Sequence, residues 1–155
     1  MRHKRAPKRQ ILPDIKYGNL KIAKFINYVM RNGKKSIAQK IVYQALDIAA
    51  SKSQKKPLEI FEEAIKNVTP VLEVRSRRIG GANYQIPVLV KSDRKFALAS
   101  RWLIEAAKSR KGKPMAEKLA EEILAAAKGE GVAVKKKTDI QKMAEANKAF
   151  AHFAR

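Results

Sequence analysis

The chain has 155 residues, of which 35 are Lys or Arg and 14 are Asp or Glu, so its formal net charge is +21 at pH 7. So many positive charges repel one another in a compact fold, and a bound polyanion would neutralise them. The charge therefore predicts a nucleic-acid partner. The length fits one domain with a sizeable core, and the absence of cysteine excludes disulfides, thiolate zinc sites and cysteine nucleophiles. No apolar run approaches the roughly 20 residues that span a bilayer, and the basic N-terminus is not followed by the apolar stretch of a secretory signal.

Residues 1–10 are predicted to form a flexible basic arm, because they are rich in cations and hold no large apolar side chain beyond Met1. We expect this arm to become ordered only when it binds a polyanion. The alternative is a solvated terminus that binds nothing.

Three amphipathic helices are predicted after the arm. The first begins at Asn19, which can cap a helix, and ends at Gly33, which suits a left-handed position. The second is expected to be capped by Ser36, and the third to begin at Pro57, a residue favoured in the first turn. Thr69, just before a proline, ends the third helix.

The hydrophobic period then changes from 3.6 to 2, which predicts a two-stranded β-ribbon over residues 71–90 with its turn near residues 80–81. Pro87 has no N–H to donate, so it requires an open edge, and the ribbon is not expected to belong to a larger sheet. Glu73 is placed on the polar face with the arginines that follow it. At about 3.3 Å per residue the ribbon would reach about 25 Å from an apolar base.

Three more helices are predicted, beginning at Ser92 or Asp93, near Pro114, and near Val132, with the last one running to about residue 149. A mainly α, single-domain bundle of about six helices over residues 1–155 results, with the hairpin projecting between the third and fourth helices. Within the fifth helix, the Glu121–Glu122 pair is placed on the solvent-exposed surface.

The basic residues are unevenly distributed. No acid occurs between residues 15 and 46, and residues 74–104 contain only Asp93. Lysines 135–137 lie in the first turns of the last helix, where cations oppose the helix dipole. This predicts an external anion, the alternative being a merely solvated triplet. Tyr84 is able to stack on an unpaired base or, equally, to pack against the protein.

The sequence contains no recognisable arrangement of catalytic residues. The histidines are His3 and His152, each near a terminus, so neither a His-centred triad nor a metal cage is expected. The string Gly33–Ser36 fails as a phosphate loop, because Tyr28 occupies the position that requires glycine. We therefore predict a protein that is not an enzyme and that has no cofactor and no metal.

The segment from Val68 to Val88, VTPVLEVRSRRIGGANYQIPV, closely resembles the ribbon signature of the small-subunit ribosomal protein S-seven family. Further similarity lies at Gly33-Lys34-Lys35, at ASRWL over residues 99–103 and at MAEANKAFAH over residues 143–152. The resemblance covers nearly the whole chain and is closest to the bacterial or organellar type. Ser-Asp stands at residues 92–93 where Ser-Pro is common, and the final residues lack the usual aromatic ending, so tail contacts are not carried over.

The resemblance implies a structural constituent of the small ribosomal subunit. It would bind the 3′ major domain of small-subunit rRNA, nucleate assembly of the head, and bring the ribbon close to exit-site tRNA and mRNA at the subunit interface. Implied neighbours are the ribosomal proteins S-nine, S-thirteen and S-eleven, with no membrane partner. The implied location is the cytoplasmic ribosome or an organellar one, and some bacterial members also repress their own operon mRNA.

The resemblance, together with the charge pattern, assigns RNA binding to basic residues on several elements and to one aromatic residue. They are Arg2, Lys4, Arg5, Lys8, Arg9, Lys34, Lys35, Arg75, Arg77, Arg78, Tyr84, Arg94, Lys95, Arg101, Lys113, Lys118, Lys135, Lys136, Lys137 and Lys142.

Three other classes of protein are alternatives at this point. A DNA-binding architectural module would bind random duplex DNA as tightly as folded RNA. An RNA-modifying enzyme would show turnover on RNA. A membrane-surface helical protein would fold on liposomes, although six apolar stripes are better explained by mutual burial.

Overall fold

The computed structural model describes residues 9–154. Of the predicted basic arm, Arg2, Lys4, Arg5 and Lys8 lie outside the described residues, whereas Arg9 is described and exposed.

The described residues form six α-helices, a two-stranded antiparallel hairpin and a C-terminal 3-10 helix, which agrees with the predicted mainly α class. In chain order these are α1 (Leu20–Val29), α2 (Lys35–Ser53), α3 (Pro57–Val68), β1 (Leu72–Ile79), β2 (Ala82–Leu89), α4 (Ser92–Ser109), α5 (Met115–Ala127), α6 (Val132–Ala146) and the 3-10 helix (Lys148–Ala154).

Two of the observed helix starts agree with the predicted ones, and two differ from them. The Asn19 side chain accepts a 2.7 Å hydrogen bond from the backbone N–H of Lys21, and Pro57 is in the first turn of α3, as predicted. The predicted caps of α2 and α4 are wrong. Ser36 is already inside α2, and α4 includes Ser92 itself, because the preceding Lys91 makes the extended-to-helical transition without a side-chain cap.

One buried cluster contains side chains from all six α-helices. The rings of Phe25 on α1 and Phe61 on α3 meet edge to face at 5.1 Å between centroids. Leu103 on α4 and Leu119 on α5 are fully buried in the same cluster, and Ala133 extends it to α6. The hairpin therefore projects from a well-packed helical body.

The hairpin lies within the predicted range. Leu72 pairs with Leu89 at the base and Ile79 with Ala82 at the tip. Gly80 and Gly81 have φ values of 56° and 91°, a two-residue turn with positive φ at both positions that matches the twist of the strands.

Glu73 shares a face of β1 with Arg75, as predicted, but its burial was not predicted. Its side chain is buried, with a relative exposure of 7%, although the alternating pattern placed it with the exposed arginines. The reason lies in tertiary structure: a cation from α4 reaches this carboxylate, as described below.

The last helix ends earlier than predicted. α6 stops at Ala146, where the side-chain amide of Asn147 donates a 2.8 Å hydrogen bond to the carbonyl of Met143. The chain then tightens into the 3-10 helix, which packs against β2. Helical periodicity over residues 132–149 did not indicate this change from an α-helix to a 3-10 helix.

Candidate nucleic-acid interface

The base of the hairpin contains a buried ion-pair cluster. Glu73 on β1 accepts a 2.6 Å hydrogen bond at Oε1 from Nε of Arg75, and a second one of 2.6 Å at Oε2 from Nε of Arg94. Burial raises the pKa of Glu73, but the hydrogen bonds from Arg94 and Arg75 outweigh it, so the net pKa lies below its ordinary value. The carboxylate therefore stays ionised and fixes both guanidinium groups.

Both arginines remain available to an external anion. The side chains of Arg75 and Arg94 are 57% and 47% exposed. An arginine carries five N–H donors, so pairing with one carboxylate oxygen leaves donors that can bind phosphate. Glu73 lowers the net charge of the pair but holds both side chains in one place, which reduces the entropy lost on binding.

The outer part of the hairpin contacts the C-terminal 3-10 helix. The Tyr84 ring lies 5.1 Å from that of Phe150 and 5.7 Å from that of Phe153 between centroids. Arg77 donates from Nη1 to the carbonyl oxygen of Phe153 over 2.9 Å. Tyr84 thus packs against the protein, which was the alternative to stacking on a base, while Arg78 is exposed.

A second basic element is the turn between α1 and α2. Arg31, Lys34 and Lys35 are all exposed there, and none of them forms an ion pair with any residue between 9 and 154. No acid lies in the first turn of α2. These cations are consequently not neutralised by the described part of the chain.

The outer face of α4 contributes a cation beside an aromatic ring. The Arg101 guanidinium carbon lies 5.9 Å from the centroid of the Tyr28 ring on α1, and this ring is 6.3 Å from Phe96. Lys95 is half-buried on the same helix. Tyr28 is 37% exposed, so an accessible aromatic ring lies next to a cation, an arrangement that suits an unpaired base.

The predicted lysines on α5 and α6 differ from one another. Lys113 pairs with Glu121, whose hydrogen bond raises the pKa of the lysine. Lys136 pairs with Glu105 at 2.6 Å, and Nζ of Lys137 donates to the carbonyl oxygen of Asn67 over 2.7 Å.

The protein thus provides acceptors for two of the three lysines at the start of α6. By contrast, Lys135 and Lys142 are exposed and Lys118 is half-buried, and their ammonium groups have no ion-pair partner within residues 9–154.

Glu122 corrects the prediction of a surface acid pair. Its side chain is fully buried. It accepts a 2.8 Å hydrogen bond from Nη2 of Arg110 and a 2.9 Å hydrogen bond from the backbone N–H of Ala133. One carboxylate therefore joins the α4–α5 loop to the first turn of α6 and satisfies a free N–H group at the start of that helix.

Sequence reasoning missed Tyr28 and Lys108, and it counted Arg31 among the basic residues without assigning it to the site. The acid-free stretch over residues 15–46 was a signal for Tyr28 and Arg31. Lys108, in the last turn of α4, comes close to the α1–α2 turn only in the folded protein.

Among residues 9–154 the structure brings together no group of His, Cys, Asp or Glu side chains fit to hold a metal ion. Across the same residues, every helix is too short or too polar to cross a membrane.

Comparison with known proteins identifies the family. A family model described as ribosomal protein S7p/S5e matches residues 1–148. The chain is 59% identical over 153 residues to small ribosomal subunit protein uS7 of Thermotoga maritima, covering 99% of each chain. It is 57% identical over 152 residues to the protein of the same name from Marinobacter nauticus, covering 98% of this chain and 97% of the relative.

These matches confirm the resemblance seen in the hairpin motif. Proteins of this family are structural, non-enzymatic components of the small ribosomal subunit, and binding to rRNA is general among them. The prediction of a protein without enzymatic activity is therefore confirmed by membership, and the chain belongs to the ribosomal protein S7p/S5e family.

Proposed function

We propose that this chain is a small-subunit ribosomal protein that binds the 3′ major domain of small-subunit rRNA directly and nucleates assembly of the head. The observation that carries this proposal is the α1–α2 turn, where Arg31, Lys34 and Lys35 are exposed without an ion-pair partner within residues 9–154. Three adjacent cations without internal anions favour phosphate as their partner.

Binding proceeds by neutralising phosphates at many points across a junction of RNA helices. Specificity comes from the shape of the RNA, because the major groove of A-form RNA is too deep and narrow for side chains to read. The whole chain acts as one RNA-binding domain, and its basic residues 1–10 bind the RNA. Arg94, Lys95, Arg101, Lys118, Lys135 and Lys142 add contacts around the helical body.

The hairpin serves a second purpose. Arg77 and Arg78 lie near the tip of a two-stranded element that projects from the body, which supports a role beside exit-site tRNA and mRNA rather than in rRNA affinity. Its implied neighbours on the cytoplasmic ribosome are the proteins S-nine, S-thirteen and S-eleven. Neutralising Arg75, Arg77 and Arg78 together should weaken rRNA binding less than deleting residues 1–10 does; an equal loss would contradict this division.

The test is equilibrium binding to a 3′ major domain rRNA fragment and to random duplex DNA at several salt concentrations. We expect a preference for the rRNA fragment that persists at physiological salt. Equal affinity for both, lost together as the salt concentration rises, would show a generic polycation and would contradict the proposal.

A matched pair of variants makes this test specific. The double variant Lys34→Ala/Lys35→Ala removes two unpaired cations. The slope of log K against log salt is negative, and its magnitude should decrease by about 1.5, since each phosphate contact contributes about 0.7–0.9. The control Lys55→Ala/Lys56→Ala removes the same charge from lysines that pair with Glu63 and Glu59. This control should leave the slope unchanged.

A further inference from the structure

A cavity of about 300 Å³ opens between the end of α1, the start of α2, α4 and the start of α5. Its wall is apolar and is lined by Val29, Ile37, Ile41, Ile104 and Met115. Small-ligand pockets span roughly 300–1,000 Å³ and are mostly apolar with a few polar groups that fix orientation. The cavity therefore has room for one small planar group and little more.

The rim of the cavity carries only positive charge. Arg31 and Lys34 border it from the α1–α2 turn, and Lys108 borders it from the last turn of α4. All three side chains are exposed, and none has an ion-pair partner within the described range 9–154. Among the described residues, none that lines the cavity is acidic. An apolar wall with a purely cationic rim is complementary to a ligand that joins an apolar ring to an anion.

The wall also includes an exposed apolar side chain. Ile37 lies in the first turns of α2 and is 54% exposed, whereas Ala38 and Ile104 beside it are buried. Leaving an isoleucine half in water forgoes burial of its apolar area. Covering it would recover that free energy when a ligand enters the cavity.

We infer that this cavity binds a single unpaired nucleotide of the bound RNA, with its base against the apolar wall and its phosphate at the rim of Arg31, Lys34 and Lys108. This rests on the proposed function, because the same turn supplies Lys34 and Lys35 to the rRNA. Sequence-specific RNA recognition uses loops and bulges whose bases are splayed out. The cavity would add an apolar contact with one base to the electrostatic contacts with phosphate.

The test separates base insertion from phosphate neutralisation. Ile37→Ser removes the exposed apolar group, and Ala38→Met fills the cavity, and neither changes the charge. Both should weaken binding to the 3′ major domain rRNA fragment about tenfold with an unchanged salt slope, whereas Lys34→Ala should reduce the slope. Val132→Ser, at a residue 51% exposed in the first turn of α6, is the matched control and should bind like the wild type.

A direct measurement does not depend on the core tolerating these changes. In the wild-type protein labelled with ¹³C-methyl methionine, the Met115 resonance, assigned with Met115→Leu, should shift when the rRNA fragment is added. A hexaglutamate peptide should leave it unmoved. A shift with the peptide but not with the rRNA fragment would overturn the inference in favour of an acidic protein segment.

The outcomes distinguish the two proposals. If the wild type prefers the rRNA fragment while folded Ile37→Ser binds as tightly and Met115 does not shift, this inference is wrong and the proposed function stands. If the wild type shows no preference for the rRNA fragment over duplex DNA, the proposed function is wrong and the inference fails with it.

Discussion

Nε of Arg94 on α4 donates a 2.6 Å hydrogen bond to Oε2 of Glu73 on β1, and this contact ties the hairpin to the helical body. The other oxygen of the same carboxylate holds Arg75, which projects from the same strand. One buried negative charge therefore links both arginines to the base of the hairpin.

Replacing that charge should loosen the hairpin. Glu73→Gln keeps the shape, but its amide oxygen can accept from only one of the two arginines and its NH2 group faces the other as a donor. One charge-assisted hydrogen bond is thus weakened and one is lost, and we expect the free energy of unfolding to fall by about 1–3 kcal/mol. Amide hydrogen exchange in β1 and β2 should accelerate. Glu59→Gln is the control, because Glu59 pairs with Lys56 at 3.9 Å on the exposed surface and should cost less than about 0.5 kcal/mol. Equal losses in both variants would contradict this account.

The stability difference should also depend on pH. The folded-state pKa of Glu73 lies below its ordinary value of 4.5, so the unfolded chain takes up this proton first as the pH falls. The contribution of the carboxylate is fully present above about pH 4.5 and is lost as the pH falls through the folded-state pKa. Chemical denaturation of wild type and Glu73→Gln at several pH values should give free energies of unfolding whose difference decreases below pH 4.5. If this difference stayed constant down to pH 3, the ionisation of Glu73 would not contribute to the stability of the folded protein.

A third prediction concerns the start of α6. Gly131 has φ 96°, and a Cβ there would lie 2.9 Å from Oε1 of Glu122 and 3.1 Å from the Cβ of Ala125. Gly131→Ala should therefore displace the carboxylate that caps α6, beyond the cost of a backbone conformation (φ 96°, ψ 170°) that is nearly restricted to glycine. Gly112→Ala is the control for a methyl group added at positive φ, with φ 78° and no atom within 4 Å of the added Cβ.

Thermal unfolding of the two glycine variants separates the costs. Gly112→Ala should lose about 1 kcal/mol, from backbone strain alone. In Gly131→Ala the free energy of unfolding should fall by at least twice that amount. The backbone amide of Ala133 should also exchange its hydrogen faster. Similar losses in the two variants would mean that the contact with Glu122 relaxes without cost.

Local signals predicted the elements well but did not predict which acids are buried. The alternation of residues 71–90 and the first-turn position of Pro57 are properties of neighbouring residues, so the hairpin and α3 appeared where expected. Glu73 and Glu122 were both placed at the surface, because each occupies a polar position of its own element. Their partners, Arg94 and Arg110, belong to other elements, and no local period indicates that meeting.

Lysines 135 and 137 should respond differently to removal. Nζ of Lys137 donates to the carbonyl oxygen of Asn67, whose side-chain amide in turn donates to two carbonyl oxygens at the end of α5, each over 2.9 Å. Lys137→Ala should thus lower the free energy of unfolding by about 1 kcal/mol. Lys135→Ala removes an exposed cation that opposes the dipole of α6, so it should not lower the free energy of unfolding. It should reduce the magnitude of the salt slope of rRNA binding by about 0.8. Isothermal titration and thermal unfolding of both variants check this, and the reverse pattern would contradict it.

The C-terminal aromatic residues should hold the outer half of the hairpin in place. The half-buried Phe150 ring lies 5.1 Å from the Tyr84 ring between centroids, so Phe150→Ala removes an aromatic contact that joins the 3-10 helix to β2. We expect a loss of about 1–2 kcal/mol, less than for a fully buried phenylalanine. Amide exchange should accelerate most in residues 76–85. Leu89→Ala is the control on the same strand, since this leucine is 72% exposed and should change little. If exchange near the tip stayed at the wild-type rate in Phe150→Ala, the hairpin would be rigid without the C-terminal segment.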